Sequence, residues 1–212
     1  MLGLTIRTAH FINNQNQRRI LYLALVRSQF EHCTIVWNPS NRSTIDKLKS
    51  LQKRAKKWIL SEEQYSFSPE AYFQKCKLLD LLPLKFRFIL KDMLFLYKVI
   101  NNSCPVRLPS YLAFLSGSRL KNSHLDDHCL VSTILPTNST SSSYSHLFSK
   151  KFFLCSYCLW NRVPYSIRQL NSFSKFKEKL AEYVWHLARD HFVENFHDDS
   201  FLESSSVFDD GG

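Results

Sequence analysis

Glycine is scarce here: four residues in 212, two of them the closing Gly211 and Gly212. Doubly wound and sheet-rich folds use glycine in tight turns and phosphate-cradling loops, and Gly117, the single glycine well inside the chain, cannot serve them. No apolar run approaches the ~18 residues of a membrane-spanning helix. A secretory leader is also missing from view, since the N-terminus offers only Arg7 as early charge, no apolar stretch of sufficient length and no small-residue cleavage site. The chain is therefore expected to be intracellular, with its six cysteines as free thiols. The sequons Asn41-Arg42-Ser43 and Asn138-Ser139-Thr140 then read as chance matches.

What is present is apolar and basic. Hydrophobic residues make up 44%, including 17 Phe, 9 Tyr and 4 Trp, so most of the chain should fold. The length allows one good-sized core or two small ones. The net charge of +10 is unevenly placed. Residues 1–100 hold 17 Lys/Arg against 7 Asp/Glu, whereas residues 191–212 hold six acids and no Lys or Arg. A basic body favours polyanions through phosphate neutralisation and counterion release; a merely soluble basic surface is the alternative.

Periodicity predicts a mostly helical, all-α chain with at most one short strand, at Leu2–Ile6. Asn13 and Asn14 are cap candidates for a helix from Gln15 whose core side is Ile20, Leu21, Ala24 and Leu25, with apolar spacing to Trp37 and a break at Asn38-Pro39. Ser43 and Asp46 resemble a capping box. Ile45, Leu48, Gln52, Ala55 and Ile59 then define a buried side, flanked by Leu51 and Trp58. Lys53 and Lys57 lie opposite, with Lys47, Lys49, Arg54 and Lys56 on the flanks. Ser68-Pro69 starts a helix carrying Tyr72, Phe73, Cys76 and Leu79. Another runs from Pro83 to about Ile100, so broadly apolar that others should wrap it. The stretch 138–145 is Ser/Thr-rich and non-periodic. Order returns at Phe148–Trp160, and a last helix spans Ser172 to about Phe192, burying Phe173, Phe176, Leu180, Tyr183, Val184 and Leu187. The expected domains are 1–104, 105–190 and an acidic tail, 191–212.

Leu21-Tyr22, Leu25-Val26-Arg27, Glu31 and Val36-Trp37-Asn38-Pro39 resemble the segment after the palm in non-LTR, LINE-type retrotransposon reverse transcriptases of the jockey and chicken-repeat kind. The likeness continues at Leu51-Gln52-Lys53-Arg54-Ala55 and at Leu82-Pro83-Leu84, Arg87, Asp92 and Leu96-Tyr97-Lys98. It returns at Leu159-Trp160-Asn161, Pro164, Ile167-Arg168, Ser172-Phe173, Phe176-Lys177 and Leu180. Leu2-Gly3-Leu4 is similar to that family's primer-grip strand. Ser28, His32 and Asn102 stand where Pro, Tyr and Gly are common. The resemblance implies a thumb-like helical bundle followed by post-thumb helices, with the endonuclease and palm lying before Met1.

Two-metal polymerisation needs paired carboxylates, which the family places on its palm. Asp126-Asp127, Asp198-Asp199 and Asp209-Asp210 do not match and read as solvated pairs, so no catalysis is expected and Mg²⁺ would belong to the palm. Cys155-x-x-Cys158 has zinc spacing, with His124, His128 and Cys129 upstream, but its aromatic surroundings favour packing. His32, His146, His186 and His191 show no catalytic arrangement. Trp37 and Trp58 could stack on bases, although their helical placement favours the core. Lys47, Lys49, Lys53, Arg54, Lys56 and Lys57 are the expected contacts to an RNA or DNA backbone. The alternative is a retroelement-derived module that docks a protein on the apolar helix 84–100; an intact enzyme is a third reading.

Overall fold

The structure is a computed structural model, and it describes residues 1–32, 42–61, 68–115, 126–132 and 152–194. These are mostly helical. Helix α1 is Leu2–Thr8, α2 is Gln15–Leu21, and a wider π-helical stretch, Tyr22–Arg27, leads into α3, Ser28–Glu31. Helices α4 (Arg42–Leu60), α5 (Pro69–Leu78) and α6 (Leu84–Ile100) follow. Strands β1 (Leu112–Phe114) and β2 (Leu130–Ser132) pair antiparallel, Ala113 opposite Val131. Helices α7 (Phe152–Arg162), α8 (Tyr165–Arg168) and α9 (Phe173–Arg189) come next, with a π-helical end, Asp190–Glu194. The described residues divide into two compact units, one of residues 1–88 with 187–194, the other of residues within 89–186.

Local chemistry sets several boundaries as expected. The Asn14 side chain accepts from the backbone N–H groups of Asn16 and Gln17 at 2.9 and 3.2 Å, capping α2. Ser68 does the same for α5, accepting from Ala71 at 3.0 Å. Asp80 and Asn102 close α5 and α6 in the left-handed region, at φ 48° and 52°. There Asn102 does the work of a helix-ending glycine, because its short polar side chain tolerates that conformation.

In the first unit, Leu2, Tyr22, Val26, Ala55, Ile59, Leu79 and Leu81 form one core. The expected N-terminal strand is instead α1. Its inward residues, Leu2 and Thr5, follow helical spacing, and Leu4, which an alternating strand would bury, is exposed. The inward side of residues 15–31 also differs from expectation. Ile20, Ala24 and Leu25 are exposed, whereas Arg18, Tyr22, Val26 and Arg27 are buried. Hydrogen bonds explain how arginines occupy that side: Arg18 donates to the carbonyls of Ile12 and Trp58. Such bonding is what makes a buried charge tolerable.

The second unit is built on aromatics. Tyr97 stacks on Phe176 at 4.1 Å and donates to the Leu170 carbonyl at 2.7 Å. Trp160 lies 5.9 Å from Phe176. Asn161 both donates to and accepts from the Leu130 backbone, at 2.8 and 2.9 Å, fixing β2. The last helix buries Phe176, Leu180 and Val184 as expected, with Phe173 at its rim. Every residue of α6 is buried or half-buried. Its breadth thus serves packing, and it offers no exposed apolar face for a protein partner. Among the described residues no helix is long and apolar enough to cross a membrane.

Candidate nucleic-acid interface

Helix α4 has one side fixed by Gln52, Ala55 and Ile59, all essentially inaccessible. Lys47, Lys49, Arg54 and Lys57 are exposed, and Lys53 is half-buried. Lys49 meets Asp46 at 3.6 Å, an exposed pair of the kind that contributes little. Asp46 therefore faces along the helix to a lysine.

Lys56 does not belong to this exposed set. It is completely buried, four residues after Gln52 and three before Ile59, a spacing that puts it on the inward side. Its Nζ lies 3.0 Å from the centre of the Tyr72 ring and 3.1 Å from Cys76 Sγ. Burial lowers the Lys56 pKa to about 8, partly offset by Cys76. Burial likewise pushes the Cys76 thiol up, against the opposing effect of Lys56. A side chain in this position cannot reach a phosphate.

The same side of α4 carries a polar network. The Gln52 amide oxygen accepts from Tyr72 Oη and from the Leu84 N–H, both at 3.2 Å, and its nitrogen donates to the Leu82 carbonyl at 3.3 Å. Arg27 donates to that carbonyl too, at 3.3 Å, and pairs with Glu31. Glu31 also meets Arg87 at 3.2 Å. Nothing in the apolar periodicity announces this cluster; the signal was a set of polar residues recurring inside otherwise apolar stripes.

Comparison with protein-family models, curated proteins and solved structures finds no match.

The remaining candidates have structural surroundings. Asp126 is not simply solvated: it forms an ion pair with the buried guanidinium of Arg168 and accepts from the His128 N–H at 3.0 Å. Arg168 further donates to Cys129 Sγ at 3.1 Å and to the Val163 carbonyl at 2.8 Å. Cys129 is thus engaged by a cation, a poor setting for a metal ligand. Cys155 and Cys158 lie on α7, where burial foremost, then Cys158 and Asp92, push the Cys155 thiol up to about 11. No group of three or more possible ligands occurs among the described residues. His124, Trp37, His146, the stretch 138–145 and the acid pairs at 198–199 and 209–210 lie outside them. Trp58 is half-buried with the Arg18 guanidinium 5.7 Å from its ring centre, and Trp160 is buried with Nε1 donating to the His128 carbonyl at 3.0 Å. A depression of about 310 Å³ touches Asn101, Asp127, His128, Arg168 and Asn171. Its strongest donor, Arg168, is already committed to internal partners.

Proposed function

We propose that this chain is the thumb and post-thumb region of a LINE-type reverse transcriptase, non-catalytic by itself, which grips nucleic-acid backbone without reading sequence. The observation that carries the reading is the division of α4. One side is buried, and the cations Lys47, Lys49, Arg54 and Lys57 are left exposed along the same helix. A helix of 19 residues rises roughly 28 Å, long enough to follow several phosphates. Residues that carry the family resemblance also hold one another: Arg27, Glu31 and Arg87 form one ionic cluster, and Gln52 ties Leu82 to Leu84.

The test is a salt titration of binding to a mixed-sequence RNA–DNA hybrid. Affinity should fall steeply with salt, because each counterion released on phosphate neutralisation gains less entropy as the bulk salt concentration rises. Replacing Lys47, Lys49, Arg54 and Lys57 together by Gln should weaken all sequences alike and flatten the salt slope. A folded quadruple variant with unchanged affinity and slope would remove α4 as the grip. Failure of the parent chain to bind at low salt would remove the nucleic-acid function itself.

A further inference from the structure

Lys56 and Cys76 are an unusual pair to enclose. Both are wholly inaccessible, and their Nζ and Sγ atoms lie 3.1 Å apart across the contact between α4 and α5. The amine is further confined by the Tyr72 ring, 3.0 Å below it, and Tyr72 is itself tied to α4 by Gln52 at 3.2 Å. Among the described residues no carboxylate accepts from Lys56; its partners there are a thiol and an aromatic face.

We propose that Lys56 and Cys76 form an oxygen-bridged cross-link, Nζ–O–Sγ, when the protein meets dioxygen, covalently tying α4 to α5. The two atoms are in hydrogen-bond contact, and a single bridging oxygen would need them to approach by only a fraction of an ångström. A direct nitrogen–sulfur bond would need the two atoms to close by well over an ångström. The reaction joins one amine, one thiol and one O₂ to give the bridge and one water. Nitrogen and sulfur each lose two electrons; one oxygen atom becomes the bridge and the other leaves as water with the two displaced hydrogens. Reduction by two dithiols, four electrons and four protons in all, returns the amine, the thiol and a second water, leaving two disulfides.

Desolvation shifts both groups toward their neutral forms, and Lys56 becomes mostly neutral amine above about pH 8, where the reaction is expected. It disfavours the ammonium of Lys56 and the thiolate of Cys76 together, and neutral amine plus neutral thiol is the stoichiometric starting state. Dioxygen is small and apolar, so the enclosure that keeps out larger reductants does not keep it out. The bridge would hold the inward side of α4 and leave the exposed lysines untouched.

The full chain, purified under dithiothreitol and moved into air-saturated buffer, should gain about 14 Da, one oxygen in and two hydrogens out, unlike the larger whole-oxygen gains of sulfenic or sulfinic acid. Dithiothreitol should reverse the gain once denaturant has opened the enclosure. Proteolysis of the oxidised chain should yield the peptide containing Lys56 joined to the peptide containing Cys76, with cleavage after Lys56 blocked. Lys56→Met and Cys76→Ala should each abolish the gain. The joined peptide from the unaltered chain is decisive by itself, so the proposal stands or falls even if a variant fails to fold. Oxygen found only on Cys76, a gain that survives Lys56→Met, or no linked peptide after prolonged aeration would each overturn it.

Discussion

Glu31 and Arg87 meet at 3.2 Å although 56 residues separate them. Glu31 is almost wholly enclosed, with Arg27 on its other side equally buried, while Arg87 keeps 37% of its side-chain surface. The carboxylate therefore neutralises a cation that has no solvent to fall back on. Removing it by Glu31→Ala should cost on the order of 3 kcal/mol, the usual penalty for stranding a buried charge. Urea denaturation should show that loss, and Arg27→Ala should destabilise more than Arg87→Ala because the latter is better solvated.

Gln52 satisfies three groups at once: Tyr72 Oη, the Leu84 N–H and the Leu82 carbonyl. Gln52→Leu keeps the volume and removes all three bonds, taking the side-chain acceptor from the Leu84 N–H while the Leu82 carbonyl keeps Arg27. The expected loss is about 2 kcal/mol or more, the desolvation cost of unmade buried hydrogen bonds, measured as a lower denaturation midpoint with an unchanged slope. A neutral or stabilised variant would mean the network contributes nothing.

Lys56 gives a pH dependence of defined sign. Its folded pKa is lowered from 10.5 to about 8. Below about 8 both states hold the proton, and the folded state carries the full burial penalty. Between the two values the unfolded chain holds the extra proton, so stability rises with pH, at most about 1.4 kcal/mol per unit. Cys76 and Tyr22, both pushed up chiefly by burial, act oppositely once their unfolded forms ionise. The lysine is therefore read as the difference between the parent chain and Lys56→Met. That variant should be more stable at pH 7 by up to about 3 kcal/mol, with the advantage shrinking from about pH 8 upward. An advantage that does not change with pH would show that Lys56 titrates normally.

Adjacent lysines should behave differently toward nucleic acid. Lys57→Gln should reduce the salt slope by about one, as loss of one phosphate contact does. Lys56→Met should leave the slope unaltered, since its ammonium faces Tyr72 and Cys76. Equal effects from the two substitutions would contradict the sidedness of α4.

Helices with strong punctuation were readable from the sequence because their signals are local. The Asn14 and Ser68 caps, the span 84–100 and the inward Phe176, Leu180 and Val184 all depend on neighbours within a turn or two. Helix α1 escaped because five residues, Leu2–Ile6, satisfy both alternating and helical spacing in part, and packing of Leu2 on Tyr22 and Val26 decides between them. The β1–β2 pair escaped because three-residue strands carry almost no period; their register brings together positions far apart in the chain, such as Leu112 and Ser132.

The sequence by itself determined a helical, basic chain and the amphipathic face of α4, since charge and periodicity are properties of order along the chain. Tertiary structure alone decided which cations are available. Arg27, Lys56 and Arg168 have the same charge as Lys57, yet they are withdrawn because Glu31, Tyr72 with Cys76, and Asp126 with Cys129 lie beside them in space. Whether a charge faces water or the interior depends on partners brought in from elsewhere in the chain, which no local pattern encodes.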